Sequence, residues 1–192
     1  MGTACQILRI RSIAALVAGA ALSCAAAAQV TLSGLRVAPV AYKTDYSFDL
    51  SHGSTPAAQL LQTKSGRYYG STQNGGAHGS GAVFQFDPST SRIRVLHSFI
   101  QDGHDGIQPI GNLVEDEEGA IYGTTSLGGA YFNGTVFRMS DDGAYQVVHA
   151  FQGGPTDGMQ SYSALVKGRD GFFYGTTSFG GANGQGNRGL PP

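Results

Sequence analysis

Two histidines and two aspartates recur in this chain at one fixed offset. His97 and His149 are 52 residues apart, and so are Asp105 and Asp157. A row of repeated imidazoles lining a channel could bind a metal ion or relay protons. The two carboxylates, with Asp102 beside the first, could ligate calcium. Calcium, however, takes about six or more oxygens, and neither loop carries an EF-hand or repeat-in-toxin pattern. Asp105-Gly106 and Asp157-Gly158 are also turn pairs, in which the carboxylate accepts local backbone N–H groups. A residue that returns once per unit does one packing task per unit. His97 and His149 are therefore expected to be packed and hydrogen-bonded, and no metal, cofactor or catalytic residue is assigned.

Glycine-rich segments at 75–79 and 128–134 resemble phosphate loops only superficially. No Lys-Ser or Lys-Thr follows them, and no helix begins there. Their middles vary, with His78 in one copy, Tyr131 and Phe132 in the next and Asn183 in the last. These four tips are the expected contacts for any ligand. Tyr69, Tyr122 and Tyr174 could each stack on a sugar ring, but a buttress repeated with the unit is the simpler expectation. The chain has no tryptophan, which weakens a carbohydrate reading, and no serine, histidine and carboxylate order points to a nucleophile.

The elements that hold these residues are tandem repeats. Tyr69 to Tyr122 is 53 residues and Tyr122 to Tyr174 is 52, each tyrosine followed by Gly70, Gly123 or Gly175. Phe84 and Phe137 are 53 apart. Pro56, Pro109 and Ser161 each precede their tyrosine by 13 residues. A period near fifty marks supersecondary units that cannot bury an apolar face alone.

Within one unit the pattern predicts four strands, at 112–116, 120–125, 135–139 and 145–151, with Ser140-Asp141-Asp142-Gly143 turning the last hairpin. Alternation predicts that Tyr145, Val147, His149 and Phe151 share one face, as do Ile93, Val95, His97 and Phe99. Four antiparallel strands in about 52 residues is the size of a propeller blade. The expected fold is all-β and propeller-like, with units at 46–98, 99–150 and a partial one at 151–186. A β-solenoid is the rival, but the Asp-Gly turns favour hairpins. Closure of a propeller generally takes about four or more blades, so an open stack of two and a half would leave sheet edges for self-association.

Arg9 and Arg11 precede an uncharged apolar run over 13–28, which reads as a signal peptide cleaved before Gln29. Lipoprotein processing at Cys24 is an alternative. Both cysteines, Cys5 and Cys24, fall inside this segment, so the mature chain would hold no disulfide. Without Arg9 and Arg11 the chain has ten basic against 13 acidic residues, a net charge of −3, with no basic patch for nucleic acid and no membrane span. Residues 29–45 form a lead-in. At the other end 187–192 replaces the next expected strand with Asn187-Arg188-Gly189-Leu190-Pro191-Pro192, which suggests a truncated or frameshifted product.

The order Gly-Gly-Ala, Gly-Thr-Val-Phe-Arg, Asp-Gly, His-Ala-Phe, Thr-Asp-Gly, Leu-Val and Asp-Gly-Phe-Phe-Tyr-Gly-Thr-Thr, from Gly128 to Thr177, resembles the GloVer tandem repeat. The resemblance covers roughly residues 46–186. It implies a bacterial, exported, propeller-like protein of the choice-of-anchor kind, without a defined biochemical role. This chain has fewer copies than such proteins usually show, and no anchor follows the last. The expected function is a non-enzymatic binding or structural role at the cell envelope or outside it, toward an unknown extracellular ligand or protein. The alternative is a propeller hydrolase or lyase acting on an extracellular polymer, which would need polar residues unique to one or two units.

Overall fold

The computed structural model describes residues 6–10 and 42–184. The apolar run at 13–28, most of the lead-in and the tail at 187–192 lie outside the described residues. The chain is all-β and propeller-like, a succession of antiparallel sheets. β1 (Gln6–Ile10) pairs with β2 (Tyr42–Ser47). The first sheet follows, in the order β3 (Leu61–Gln62), β4 (Tyr68–Thr72), β5 (Ala82–Asp87) and β6 (Arg92–Ser98). The second sheet holds β7 (Gly106–Pro109), β8 (Val114–Glu115), β9 (Ile121–Gly128), β10 (Thr135–Met139) and β11 (Tyr145–Ala150). A third, partial unit consists of β12 (Gly158–Met159), β13 (Val166–Lys167), β14 (Phe173–Tyr174) and β15 (Phe179–Gly180). There β13 pairs with β14 and β12 with β15.

Local chemistry fixes the hairpins. In the turn after β5, Asp87 accepts from Ser89 N at 2.8 Å, from Ser89 Oγ at 2.6 Å and from Thr90 Oγ1 at 2.9 Å. The Ser89 hydroxyl, then its N–H, hold this carboxyl down at about 2. In the turn after β10, Asp142 accepts from Ala144 N and from Ser140 Oγ. In each turn one backbone N–H, of Ser89 or Ala144, is taken by the aspartate side chain, which competes with a continuing strand and so ends it.

Each sheet packs against the next through the side chains that alternate on its strands. Tyr69 and Val83 of the first sheet meet Phe99, Leu113, Ile121, Phe137 and Met139 in one buried cluster. Val136 of the second sheet meets Phe151 and Leu165, with Tyr122, Val114 and Phe173 against them. At the other end Phe84 and Phe86 are covered by Tyr46, Phe48, Leu60, Tyr68 and Ile93. Every buried side chain of this size contributes about 1.5–3 kcal/mol of transfer free energy, so these junctions hold the stack together. Tyrosine burial follows neighbour supply. Tyr69 is fully buried, Tyr122 half-buried and Tyr174 45% exposed.

The repeated glycine after each tyrosine makes room for an aromatic ring on the paired strand. Gly70 pairs with Phe84, and Gly123 with Phe137. A Cβ at Gly123 would stand 2.5 Å from Phe137 Cζ and 2.8 Å from Leu113 Cδ2, and one at Gly70 would stand 2.5 Å from Phe84 Cζ.

Two expectations are corrected. The second sheet has a strand the sequence pattern does not predict: β7 pairs with the far end of β9, Gly106 opposite Gly128, while β8 pairs with its near end. Its Gly-Ile-Gln-Pro sequence lacks alternation and reads as a turn. Second, Ile93, Val95, His97 and Phe99 do not share a face, nor does the equivalent run in β11. Val83 pairs with His97 but Phe84 with Val95, leaving Leu96 as the extra residue of a β-bulge; Val148 is its counterpart. The bulge re-aims the strand. Ile93 packs toward β2, whereas His97 and Phe99 turn to the second sheet.

Candidate functional site

The bulge at Leu96 brings His97 to the most polar point of the junction between the first two sheets. His97 Nε2 donates to Asp105 Oδ2 at 2.8 Å, and Ile100 N donates to the same oxygen at 3.1 Å. Tyr145 OH, from the second sheet, donates to Asp105 Oδ1 at 2.6 Å. Its ring stacks on His97, with centroids 3.7 Å apart. Asp105 is buried, and its position is set by Asp102, whose Oδ1 accepts from His104 N and Asp105 N, both at 2.8 Å. Burial first, then the bond to Asp105, pushes the Tyr145 phenol well above its usual range. One carboxylate thus engages an imidazole, a phenol and a backbone N–H. The three side chains line one wall of an open cleft that also includes Ile100, Asp102 and His104.

The next repeat builds the same pair, with no phenol on it among the described residues. His149 Nε2 lies 3.1 Å from Asp157 Oδ2, and Gln152 N donates to that oxygen at 2.8 Å, as Ile100 N does one unit earlier. In the first unit His52 stands 53 positions before Asp105 and Asp49 stands 53 before Asp102. Asp49 Oδ1 accepts from His52 N at 2.8 Å and also contacts the His52 ring at 2.7 Å. The Ser51 hydroxyl first, then the His52 N–H, hold its carboxyl at about 2. The turn at Asp49 and Asp102 is thus a repeated device. Among the described residues no three His, Cys, Asp or Glu side chains converge as a metal site would need.

The four loop tips are placed apart. His78 and Asn183 are exposed on turns. Tyr131 and Phe132 are 52% and 47% exposed, Phe132 with a left-handed backbone, φ 62°. No bond or ring contact among the described residues joins one tip to another. Ala182 and Gly184, on either side of Asn183, line an open hollow with Pro155, Met159 and Phe179. Behind the second tip, Asn133 Nδ2 donates to Gln152 O at 2.9 Å and Asn133 O accepts from Gln160 N at 2.8 Å, tying this loop to the following unit.

Sequence reasoning missed Gln108 and its equivalents. Thr55, Gln108 and Gln160 are non-glycine residues with φ of 57°, 58° and 56° at matching positions. Such a conformation costs about 1–2 kcal/mol per residue, so its threefold return marks a constraint. Gln108 N donates to Ser80 O at 2.9 Å just as Gln160 N donates to Asn133 O, so the left-handed residue turns its N–H onto the loop of the preceding sheet. The only signal for it was the residue one step later, Pro56, Pro109 or Ser161, already in register.

No curated protein matches this sequence. Thirty-six solved chains match its structure. One is the X-ray structure of a protein assigned provisionally as a gluconolactonase, with a TM-score of 0.45 and 12% identity. That match covers 80% of this chain and 54% of the other, so this chain spans about half the length of that structure. The tandem sheets, with their repeated Tyr-Gly and Gly-Gly-Ala steps and a His and Phe two residues apart, coincide with a sequence-family match over residues 15–187, and the chain belongs to the Gloeobacter/Verrucomicrobia repeat family.

Proposed function

We propose that this chain is an exported, non-enzymatic repeat protein that acts as a binding or structural surface at the cell envelope or outside it. One observation carries the reading. The histidines and carboxylates that could do chemistry are engaged alike in successive units, His97 with Asp105 and His149 with Asp157, each carboxylate also taking a backbone N–H. A catalytic site on a repeat scaffold needs residues particular to one unit. Beside Tyr145, whose hydroxyl is tied to Asp105, the unit-specific side chains here are the exposed loop tips, Tyr131 and Phe132 foremost. Paired exposed aromatics are suited to contact rather than to bond making. Export is supported by Arg9 and Arg11 ahead of the uncharged run at 13–28.

Co-sedimentation of the purified chain with bacterial envelope fractions tests the reading, beside a turnover panel of glycan and peptide substrates. Retention that falls at least about tenfold in the Tyr131→Ser, Phe132→Ser double variant, with no turnover, is the expected result. Turnover abolished by His97→Gln would overturn it in favour of a propeller hydrolase or lyase working in the cleft beside Tyr145.

A further inference from the structure

β1 and β2 reproduce, residue for residue, the pairing of the third and fourth strands in the two sheets. Ile7 pairs with Tyr46 and Leu8 with Thr44, so the register passes over Asp45. In the first sheet Val83 pairs with His97 and Phe84 with Val95, passing over Leu96. In the second Val136 pairs with His149 and Phe137 with Val147, passing over Val148. The bulge falls at the same step in all three, and such features are built in rather than accidental. Gln6-Ile7-Leu8-Arg9-Ile10 also has the order of Thr135-Val136-Phe137-Arg138-Met139: polar, apolar, apolar, basic, apolar. β1 therefore stands in the place of a third strand, and β2 in that of a fourth.

The connection between them is what differs. In the sheets the third and fourth strands are joined by turns at 88–91 and 140–144, whereas residues 11–41 separate β1 from β2. Cleavage before Gln29 falls in that stretch and parts the two strands. β2 has a hold of its own on the first sheet. Tyr46 lies edge-on to Phe48 at 5.2 Å and Phe48 edge-on to the buried Phe84 at 5.1 Å, all within one cluster. Loss of β1 would thus leave β2 seated, with a row of backbone N–H and C=O groups that β1 had paired.

We propose that β2 is a strand-accepting edge, which on removal of residues 1–28 takes up an extended segment of a partner protein in the third-strand register that β1 holds. The inference rests on the export reading above. β1 shows the chemistry of the occupant: two successive apolar residues, the second at the place of Phe84 and Phe137, then one intervening residue and a further apolar one. A second copy is not that occupant. Among the described residues its own third strands, β5 and β10, each lie between two neighbours, and its β1 leaves with the leader. The register also sets a preference. Arg9 stands opposite Lys43, two cations, where the other sheets oppose Arg138 to Gln146 and Gln85 to Arg94. Like charges directly opposite weaken a strand pair, so a neutral or acidic residue at the Arg9 place suits the edge better than β1 does. In strand addition the backbone supplies affinity and the alternate side chains supply selectivity.

Fluorescence anisotropy with a labelled peptide of residues 134–140, Gly-Thr-Val-Phe-Arg-Met-Ser, tests this on the full chain. In the unaltered chain β1 competes for the edge. Leu8→Pro breaks β1 without touching β2, so the peptide should bind that variant at least about tenfold more tightly than the unaltered chain. Ile10→Pro serves as the second variant should Leu8→Pro fail to fold. Phe137→Asp within the peptide should abolish binding, and a peptide of residues 6–11 carrying Arg9→Glu should bind about two- to fivefold more tightly than the same peptide with Arg9. No binding to either folded variant, equal binding with and without an intact β1, or indifference to Phe137→Asp would each overturn the proposal. Mass spectrometry of the envelope-borne chain separates it from the export reading. A chain that starts at Gln29 supports release of the edge, while one that keeps residues 6–10 overturns release, and the peptide result stands or falls on its own.

Discussion

His97 and Tyr145 lie face to face across the junction of the first two sheets, their ring planes 6° from parallel and both bonded to the Asp105 carboxylate. His97 belongs to β6 and Tyr145 to β11, so the triad joins one unit to the next. Among the described residues no phenol lies above the equivalent pair of His149 and Asp157, which is more open to solvent.

That difference makes the two carboxylates unequal. Asp105→Asn places an amide N–H where either the Tyr145 hydroxyl or the N–H groups of His97 and Ile100 point, leaving a buried donor unpaired. Such a loss costs about 1–3 kcal/mol. Asp157→Asn, at a carboxylate that takes the Gly158 N–H where Asp105 takes a buried phenol and that lies nearer to water, should cost clearly less. Urea melts of the two variants check the order, and equal midpoints would remove the latch from the account.

The Tyr145 phenol gives the fold an alkaline limit. Burial holds its proton above the ordinary value near about 10, at which the unfolded chain releases it. Below that pH its contribution is fully present. Above it the native state binds more protons than the unfolded one, so stability falls as pH rises, by up to about 1.4 kcal/mol per pH unit for one proton. Tyr46 is also raised, chiefly by burial. Tyr145→Phe should therefore flatten, not abolish, the decline of melting temperature above pH about 10.

How far the sequence could be read depends on what each feature leaves in it. The sheets were legible because an interface repeated between units imprints its side chains at a constant offset, as with Phe84 and Phe137 or Tyr69 and Tyr122. The bulge was not legible: Leu96 and Val148 are apolar residues in an apolar run, and only pairing reveals that they are supernumerary. Because of them, His97 reaches Tyr145. β7 escaped notice because Gly106, Ile107 and Pro109 pair with β9 while Gln108 turns its N–H to Ser80 O, which leaves no alternating pattern. His97, Asp105 and Tyr145 were separately visible, but their meeting depends on how two sheets cross, which spacing along the chain does not encode.

The glycines after the tyrosines should rank by their neighbours. Gly123→Ala drives a methyl into Phe137 and Leu113, an overpacking that costs about 1–3 kcal/mol. At Gly175, among the described residues, Leu165 Cδ2 is the one atom that stands close, at 2.8 Å, and no ring lies over it. Gly175→Ala should thus cost less than half as much in the same chemical melt. Equal losses would mean that the glycines serve the backbone rather than the aromatic ring.

The first unit contains a repairable defect. In the second sheet Thr125 Oγ1 and Thr135 Oγ1 bond to each other at 2.8 Å across paired strands. In the first sheet their places are taken by Thr72 and Ala82, which are paired in the same register. Thr72 Oγ1 is buried and has no hydrogen-bond partner. Ala82→Thr supplies the missing hydroxyl on a backbone that already holds threonine one unit later, so it should raise stability by about 1 kcal/mol. Replacing the orphan itself, Thr72→Val, removes a buried hydroxyl that nothing satisfies and should be neutral or mildly stabilising, while Thr125→Val should be destabilising because it strips Thr135 of its partner. The opposed signs at two equivalent positions, read from thermal melts, distinguish a hydrogen-bonding role from simple packing, since packing alone predicts the same sign at both.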